Sequence, residues 1–196
     1  LSASSAVTMT GLAAASAASA GLYAKQIDAS AITVNGFSEV TGATDGILAD
    51  GFTTGASLAV SHCSVSGTTA FGLNAASFVS GTSLTVSDSE ASGASNGLYI
   101  NAWVKGGTAT VSDTVATSAT GSGVAVFNLA TTSGTGTVQI TNVTASSTAG
   151  ASNGIRITSV GGAAAGFTLP FPPGEPERAL YRPLTGASYA LDYARA

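Results

Sequence analysis

The sequence predicts an all-β solenoid, in which short strands stack coil upon coil, and two repeating patterns carry this prediction. In the first pattern, a glycine is followed by apolar residues one and three positions later and by a large apolar residue six positions later. These glycines are Gly21, Gly46, Gly72, Gly97, Gly123 and Gly154, so successive steps are 25, 26, 25, 26 and 31 residues. A nearly constant period of this size is typical of solenoid repeats.

The second pattern is a pair of apolar residues two positions apart, with small polar residues between and after them. The pairs are Val7/Met9, Ile32/Val34, Leu58/Val60, Leu84/Val86, Ala109/Val111, Val138/Ile140 and Phe167/Leu169. This alternation predicts a strand with one buried face. The number of repeats indicates six to seven coils with a period near 25–26 residues.

The large apolar residue at the end of the first pattern forms a further row. Its members are Ile27, Phe52, Phe78, Trp103, Leu129 and Val160. The aromatic members alone suggest a platform for a sugar ring, but aliphatic residues continue the row on both sides. We therefore expect an internal ladder with Trp103 inside the coil.

A third, less regular strand is predicted just beyond the second pattern. Its row contains Leu12, Phe37, Cys63, Ser89, Thr114 and Val143. The alanine-rich stretch 12–20 is predicted to be a loop of the first coil, because the residues on either side keep the 25-residue spacing. Three short strands in each repeat leave no room for a long helix.

The period and the stacking of like residues resemble the right-handed parallel β-helix of the pectate-lyase-like superfamily, over Val7 to Leu169. The resemblance implies parallel strands, and right-handed coils also agree with the usual hand of parallel β crossovers. The catalytic motifs of that superfamily are not in the sequence, so the resemblance concerns the fold and not an activity. The predicted domains are a β-helix over 1–169 and an extended tail over 170–196.

The tail contains all five prolines of the chain and three of its five tyrosines. The segment 170–176 cannot enter the interior of a sheet and is predicted to be a stiff, extended connector. Beyond it, Tyr189, Leu191 and Tyr193 alternate with smaller or polar residues. This alternation predicts a strand with one apolar face.

Composition excludes several classes of protein. Charged residues make up 8% of the chain and the net charge is −4, with no basic patch for a nucleic acid. No apolar run approaches the roughly 20 residues of a membrane-spanning helix. With one cysteine and one histidine, the chain cannot complete a structural zinc site, and we expect no cofactor. The Lys-poor, Ser/Thr/Gly-rich composition, the sequon at Asn142 and the start without methionine favour an extracellular or cell-surface location.

One row of polar residues is a candidate catalytic site. It contains Gly11, Gly36, His62, Asp88, Asp113 and Asn142. On adjacent coils the two aspartates would lie roughly 4.8 Å apart, and with Glu90 nearby they suggest acid–base chemistry on a polysaccharide. The alternative is that they form turns, which Asp and Asn favour. We adopt the alternative and predict that the protein is not an enzyme and has no catalytic residues.

The segment Asn153-Gly154-Ile155-Arg156-Ile157 is similar to the arginine-bearing strand of the polygalacturonase family. That family also uses an aspartate pair and a Gly-His-Gly element, whereas His62 here is flanked by Ser61 and Cys63. We therefore expect Arg156 to be an outward-facing charge.

The ends of the predicted solenoid have no evident cap, and open coils favour stacking on further copies. We predict a structural subunit of an extracellular filament that assembles head to tail as a homopolymer, with the tail docking on a neighbouring copy. The predicted interface residues are Val7, Met9, Phe167, Leu169, Phe171, Tyr181, Tyr189, Leu191 and Tyr193. The alternative is a carbohydrate-active or carbohydrate-binding β-helix with a polysaccharide partner. A minor alternative is an ice-binding solenoid, suggested by the threonine and serine row on the second strand.

Overall fold

The computed structural model describes residues 5–36, 38–79, 81–101, 107–128, 137–149 and 152–158. Within these ranges the chain forms eighteen strands and no helix, which confirms the all-β prediction. In chain order the strands are β1 (Ala6–Thr10), β2 (Ala13–Ser16), β3 (Leu22–Lys25), β4 (Ala31–Asn35), β5 (Ser38–Gly42), β6 (Ile47–Asp50), β7 (Ser57–Ser61), β8 (Cys63–Gly67), β9 (Phe71–Ala76), β10 (Ser83–Ser87), β11 (Glu90–Gly93), β12 (Asn96–Asn101), β13 (Thr108–Ser112), β14 (Val115–Ser118), β15 (Val124–Phe127), β16 (Thr137–Thr141), β17 (Thr144–Ser147) and β18 (Ile155–Thr158).

The strands form three parallel sheets, and each coil contributes one strand to each sheet. Sheet A contains β1, β4, β7, β10, β13 and β16, sheet B contains β2, β5, β8, β11, β14 and β17, and sheet C contains β3, β6, β9, β12, β15 and β18. About five turns separate the first strand of a sheet from its last, so the predicted parallel solenoid is confirmed. The further coil predicted from Phe167 and Leu169 lies outside the described residues.

Both repeating patterns form buried ladders in the predicted register. In sheet A, Ile32 pairs with Leu58, and in sheet C, Ile47 pairs with Leu73. All four side chains point into the coil and are buried. A one-residue slip would turn each ladder outward, so this burial fixes the pairing of every coil with the next.

Large apolar side chains fill the corner between sheets C and A. Phe52 and Phe78 are fully buried there, and their rings stack with centroids 4.5 Å apart and planes 8° apart. Ile27 continues the row in the first coil and is also buried. The prediction of an internal ladder is confirmed for these three residues, whereas Trp103, Leu129 and Val160 lie outside the described residues.

Sheet B is more regular than the sequence predicted. Its strands have four or five residues each, and its inward row is Ala14, Val40, Val65, Ala91, Ala116 and Ala145. Ala13–Ser16 is strand β2, so the prediction of a loop over 12–20 is wrong in that part. Phe37 is also the wrong member of the third row, because Ser38 pairs with Cys63.

The repeating glycines lie where sheets B and C touch. A Cβ atom on Gly97 would lie 2.7 Å from the carbonyl oxygen of Ala91 and 2.7 Å from the backbone nitrogen of Thr117. The same added atom on Gly72 or Gly123 would meet backbone at 2.6 Å or 2.5 Å. Backbone atoms cannot swing aside as the tip of a side chain can. Lack of space, and not a left-handed turn, is the reason that these positions need glycine.

Replacing Gly97 with alanine should therefore destabilise the fold by about 3 kcal/mol, because the added methyl overpacks a backbone contact. Gly55→Ala is the matched control: Gly55 has a φ of 82°, and its added Cβ would have no neighbour closer than 3.6 Å. Gly55→Ala should lower the free energy of unfolding by only about 1–2 kcal/mol, which is the cost of placing a residue with a side chain in the left-handed conformation. Urea unfolding of both variants measures the difference, and equal costs would contradict the close approach of sheets B and C.

Candidate functional site

The predicted row of polar residues occupies the corner between sheets A and B. Each member adopts the left-handed conformation, with φ of 61° at Gly11, 72° at Gly36, 52° at His62, 48° at Asp88, 49° at Asp113 and 52° at Asn142. Among residues with a side chain, Asn, Asp and His are enriched in this region. The residue types at this corner therefore agree with the backbone turn that they make.

Hydrogen bonds within and between coils close this corner. The Nδ2 group of Asn142 donates to Oδ1 of Asp113 over 2.6 Å. One residue after the corner, the Ser89 hydroxyl donates to the carbonyl of Ser87 at 2.7 Å and accepts the backbone N–H of Cys63 at 3.2 Å. Such bonds satisfy backbone groups that leave the strand ladder at a turn.

Asp88 and Asp113 also line a wide, open groove of about 670 Å³ beside the outer face of sheet B. Glu39, Glu90 and Val115 complete much of its wall. Both aspartates and Glu90 are exposed to solvent. A carboxyl group that serves as a general acid is normally shielded from water. This geometry favours the turn-forming role of the aspartates over acid–base catalysis.

Metal binding has little support in the described part of the chain. No group of three His, Cys, Asp or Glu side chains there is arranged to hold an ion. Cys63 is buried, and burial raises the pKa of its thiol. A raised pKa disfavours the thiolate, which is the form that attacks substrates and binds metals.

A ladder of aromatic rings crosses the outer face of sheet C. Phe71 stacks on Tyr99 with centroids 4.4 Å apart and planes 9° apart, and Tyr99 meets Phe127 at 5.5 Å and 43°. The Cζ atom of Arg156 lies 5.2 Å from the centroid of the Phe127 ring, which is a cation–π contact. The expectation that Arg156 faces outward is met, because it is exposed. Sequence reasoning missed the ladder itself.

A shallow cleft of about 260 Å³ runs beside this ladder. Tyr99, Phe127 and Arg156 form one wall, and the other consists of Ser95, Asn96, Thr120, Gly121, Ser122, Ser152 and Asn153. The cleft thus combines aromatic surface, one cation and several hydroxyl and amide groups. Its volume is just under the ~300–1,000 Å³ of typical ligand pockets, so it suits a small group or part of an extended chain.

Asp45 links two coils behind the ladder, at the corner between sheets B and C. It is only 6% exposed, and its Oδ1 accepts the backbone N–H of Phe71 at 3.2 Å. Burial raises the pKa of this carboxyl, and hydrogen bonds from Phe71 and from the Asn74 side chain partly oppose the rise. Two coils further on, Oδ1 of Asn96 accepts the N–H of Ser122 at 2.9 Å. The neutral side chain of Asn96 therefore joins two neighbouring coils in the same way as the carboxyl group of Asp45.

The outer face of sheet A is a flat array of small polar residues. Its central row reads Thr8, Thr33, Ala59, Thr85, Thr110 and Gln139. On the six described strands of this sheet no residue is charged. The interruptions predicted at Ala59 and Gln139 are present, and ice binding by this face stays a prediction.

Of the predicted interface residues, Val7 and Met9 lie on β1 and point into the first coil. Both are half-buried. The other predicted members lie outside the described residues: Phe167, Leu169, Phe171, Tyr181, Tyr189, Leu191 and Tyr193.

Comparison with known proteins finds no matching family model, no matching curated protein and no matching solved structure. Within the described ranges there is also no helix with the length and apolar character needed to cross a bilayer. The geometry of the chain itself is therefore the basis for proposing a function.

The turn role of the corner residues predicts the effect of substituting Asp113. Asp113→Asn should change the free energy of unfolding by less than about 0.5 kcal/mol, because asparagine also adopts the left-handed conformation and keeps an acceptor for Asn142. Asp113→Val should cost more than about 1 kcal/mol, since a β-branched residue is strained at this φ. Thermal unfolding of both variants makes the comparison. A polysaccharide-cleaving activity that Asp113→Asn abolished would instead establish catalysis at this corner.

Burial of Asp45 predicts a pH-dependent stability. Because the folded carboxyl has a raised pKa, the folded state binds more protons than the unfolded chain above the ordinary value of 3.8. Stability that is present below this pH is then lost as the pH rises through the raised pKa. Asp45→Asn should remove that loss, so it should raise the melting temperature at pH 7 and have little effect near pH 3.

The control variant Asp45→Ala removes the acceptor for the Phe71 N–H as well as the charge. It should therefore melt at a lower temperature than Asp45→Asn at every pH, which separates the hydrogen bond from the effect of the charge. Identical pH profiles for Asp45→Asn and the natural protein would contradict the raised pKa.

Proposed function

We propose that this protein is a structural subunit of an extracellular filament in which copies stack head to tail through their end coils. One observation carries the proposal: inward-facing side chains of β1 remain partly accessible. Val7 and Met9 are half-buried, whereas Ile32 and Val34, one coil further in, are 6% and 0% exposed. Stacking against another coil would bury the two outer side chains as fully as their inner neighbours.

The backbone at the ends supports the same arrangement. Strands β1, β2 and β3 each pair with one described neighbour, and so do β16, β17 and β18 at the other end. An edge of this kind is a template for adding a further strand. Because each copy would be added along the solenoid axis, repeated head-to-tail stacking would give an open filament and not a closed ring.

The tail is the second part of the proposal. Its stiff proline-rich segment and the apolar residues Phe171, Tyr181, Tyr189, Leu191 and Tyr193 would cross the joint and pack on the next copy. We also propose that the solenoid is right-handed and belongs to the pectate-lyase-like superfamily. The 25–26-residue period and the three parallel sheets support this assignment.

Carbohydrate binding is a second candidate function, and the cleft on sheet C is the observation that favours it. Tyr99 and Phe127 offer aromatic surface, while Arg156 and Asn96 offer hydrogen-bond donors. Saccharide sites combine these two kinds of group. However, stacking occupies one face of the Tyr99 ring and cation–π contact occupies one face of the Phe127 ring, so little free ring face remains for a sugar.

The filament proposal predicts that a charge pointing into the first coil blocks assembly. Met9→Lys places an ammonium group in the joint, where an unpaired buried charge is strongly unfavourable. Filaments of the natural protein should be visible by negative-stain electron microscopy, and this variant should lose them while keeping its β circular dichroism spectrum.

Thr8→Lys is the matched control, because Thr8 lies on the same strand but points outward. It should leave the filaments intact. Discrete particles from the natural protein at high concentration, or full assembly of Met9→Lys, would contradict the proposed function.

A further inference from the structure

The cleft beside the aromatic ladder runs along the solenoid axis over three coils. Its polar wall takes Ser95 and Asn96 from the coil of β12, Thr120 and Ser122 from the coil of β15, and Ser152 and Asn153 from the coil of β18. A ligand in this cleft therefore lies across the strands and contacts three successive coils. An elongated, narrow ligand fits that path better than a compact one.

Two recognition groups of the cleft have a fixed separation. Tyr99 pairs with Ala125, and Ala125 pairs with Arg156, so Tyr99 and Arg156 occupy the same register position on strands β12 and β18 of sheet C. Two inter-strand steps of ~4.8 Å place their backbone positions roughly 9.6 Å apart. A matching ligand presents an apolar ring and a negative group at about this distance on one side.

A polyproline helix has this geometry. It has three residues per turn and a rise of ~3.1 Å, so residues three apart point the same way and lie about 9.3 Å apart. Aromatic-lined grooves commonly bind such helices through their proline rings. Phe71 covers one face of the Tyr99 ring, so a proline would pack against the edge of the ring that lines the cleft. The residue three positions later would then lie beside Arg156, where a carboxylate accepts charge-assisted hydrogen bonds.

The chain itself contains one segment with this pattern. Of its five prolines, only Pro172 is followed by a carboxylate residue three positions later, at Glu175. We propose that the cleft binds a proline-rich peptide with this spacing, and that the occupant is segment 172–175 of a second copy. The inference rests on the proposed function, because filament assembly brings the second copy into place.

Direction favours a second copy over the same molecule, and chain length permits it. The segment would run from the level of β12 towards β18, which is the direction in which the tail of the preceding copy travels after crossing the joint. Reaching β12 from β18 of that copy takes at least four inter-strand steps, or roughly 19 Å. The 14 residue steps from Thr158 to Pro172 span up to about 45 Å when extended. The proposed route therefore requires that Phe167 and Leu169 belong to the connection and not to a seventh coil.

Photo-crosslinking of the full chain tests the inference. The protein carries p-benzoylphenylalanine in place of Thr120, an exposed residue on the polar wall of the cleft, and equal amounts of light and ¹⁵N-labelled chains are mixed, assembled and irradiated. Mass spectrometry should find crosslinks to residues 171–176 in mixed light–heavy pairs. In this background Arg156→Gln and Glu175→Gln should each lower the crosslink yield roughly tenfold, because each removes a charge-assisted hydrogen bond.

Two variants are controls. Glu90→Gln removes an exposed charge on sheet B, away from the cleft and from both ends, and should leave the yield unchanged, while Arg156→Lys should retain most of it. Circular dichroism checks that each variant is folded. Crosslinks only within one chain, crosslinks only to other segments, or an undiminished yield in Arg156→Gln would overturn the inference. Binding of a uronic-acid oligosaccharide that needs Arg156, without any tail crosslink, would also overturn it.

Assembly is scored separately on the same samples. Filaments that form without this crosslink would overturn the inference and leave the proposed function standing. Crosslinks between copies in samples without filaments would support the cleft as a peptide site and overturn the proposed function.

Discussion

Direct contact between the backbones of sheets B and C is the constraint on which each coil depends. Because no Cβ atom fits at Gly97 or its equivalents, the two sheets meet without side chains between them. The large side chains gather at the corner between sheets C and A instead, where Phe52 and Phe78 stack. The third corner, between sheets A and B, is made by left-handed residues such as Asp113. The coil therefore closes through three corners with three different physical causes.

The ladders of sheets A and C and the glycine period could be predicted from the sequence, because large apolar residues repeat there at fixed offsets. Sheet B was harder to place, since its inward residues are mostly alanine and carry little hydrophobic signal. The aromatic ladder could not be found from the period. Relative to the repeating glycine of its own coil, Phe71 lies one position before, Tyr99 lies two positions after and Phe127 lies four positions after. These rings meet only because long side chains span neighbouring rows of a sheet.

The outer faces of the three sheets differ in chemistry although their strands are alike. Sheet A presents uncharged hydroxyl groups, sheet B presents acidic residues such as Glu39 and Glu90, and sheet C presents aromatic rings with Arg156. These surfaces lie on the sides of the solenoid, whereas its open strand edges lie at the ends. Binding along the sides and assembly through the ends can therefore operate in the same molecule without competing for residues.

The pairing of each strand with its equivalent one coil away has a consequence for how the chain folds. Every strand pair described joins residues about one repeat apart, such as Val86 with Val111 or Val40 with Val65. Folding therefore has to close loops of only one coil at a time, and the entropic cost of loop closure does not grow with the length of the solenoid. Parallel sheets are usually slow to form because their contacts are distant in sequence. In this chain, any coil can act as a nucleus from which order spreads to its neighbours.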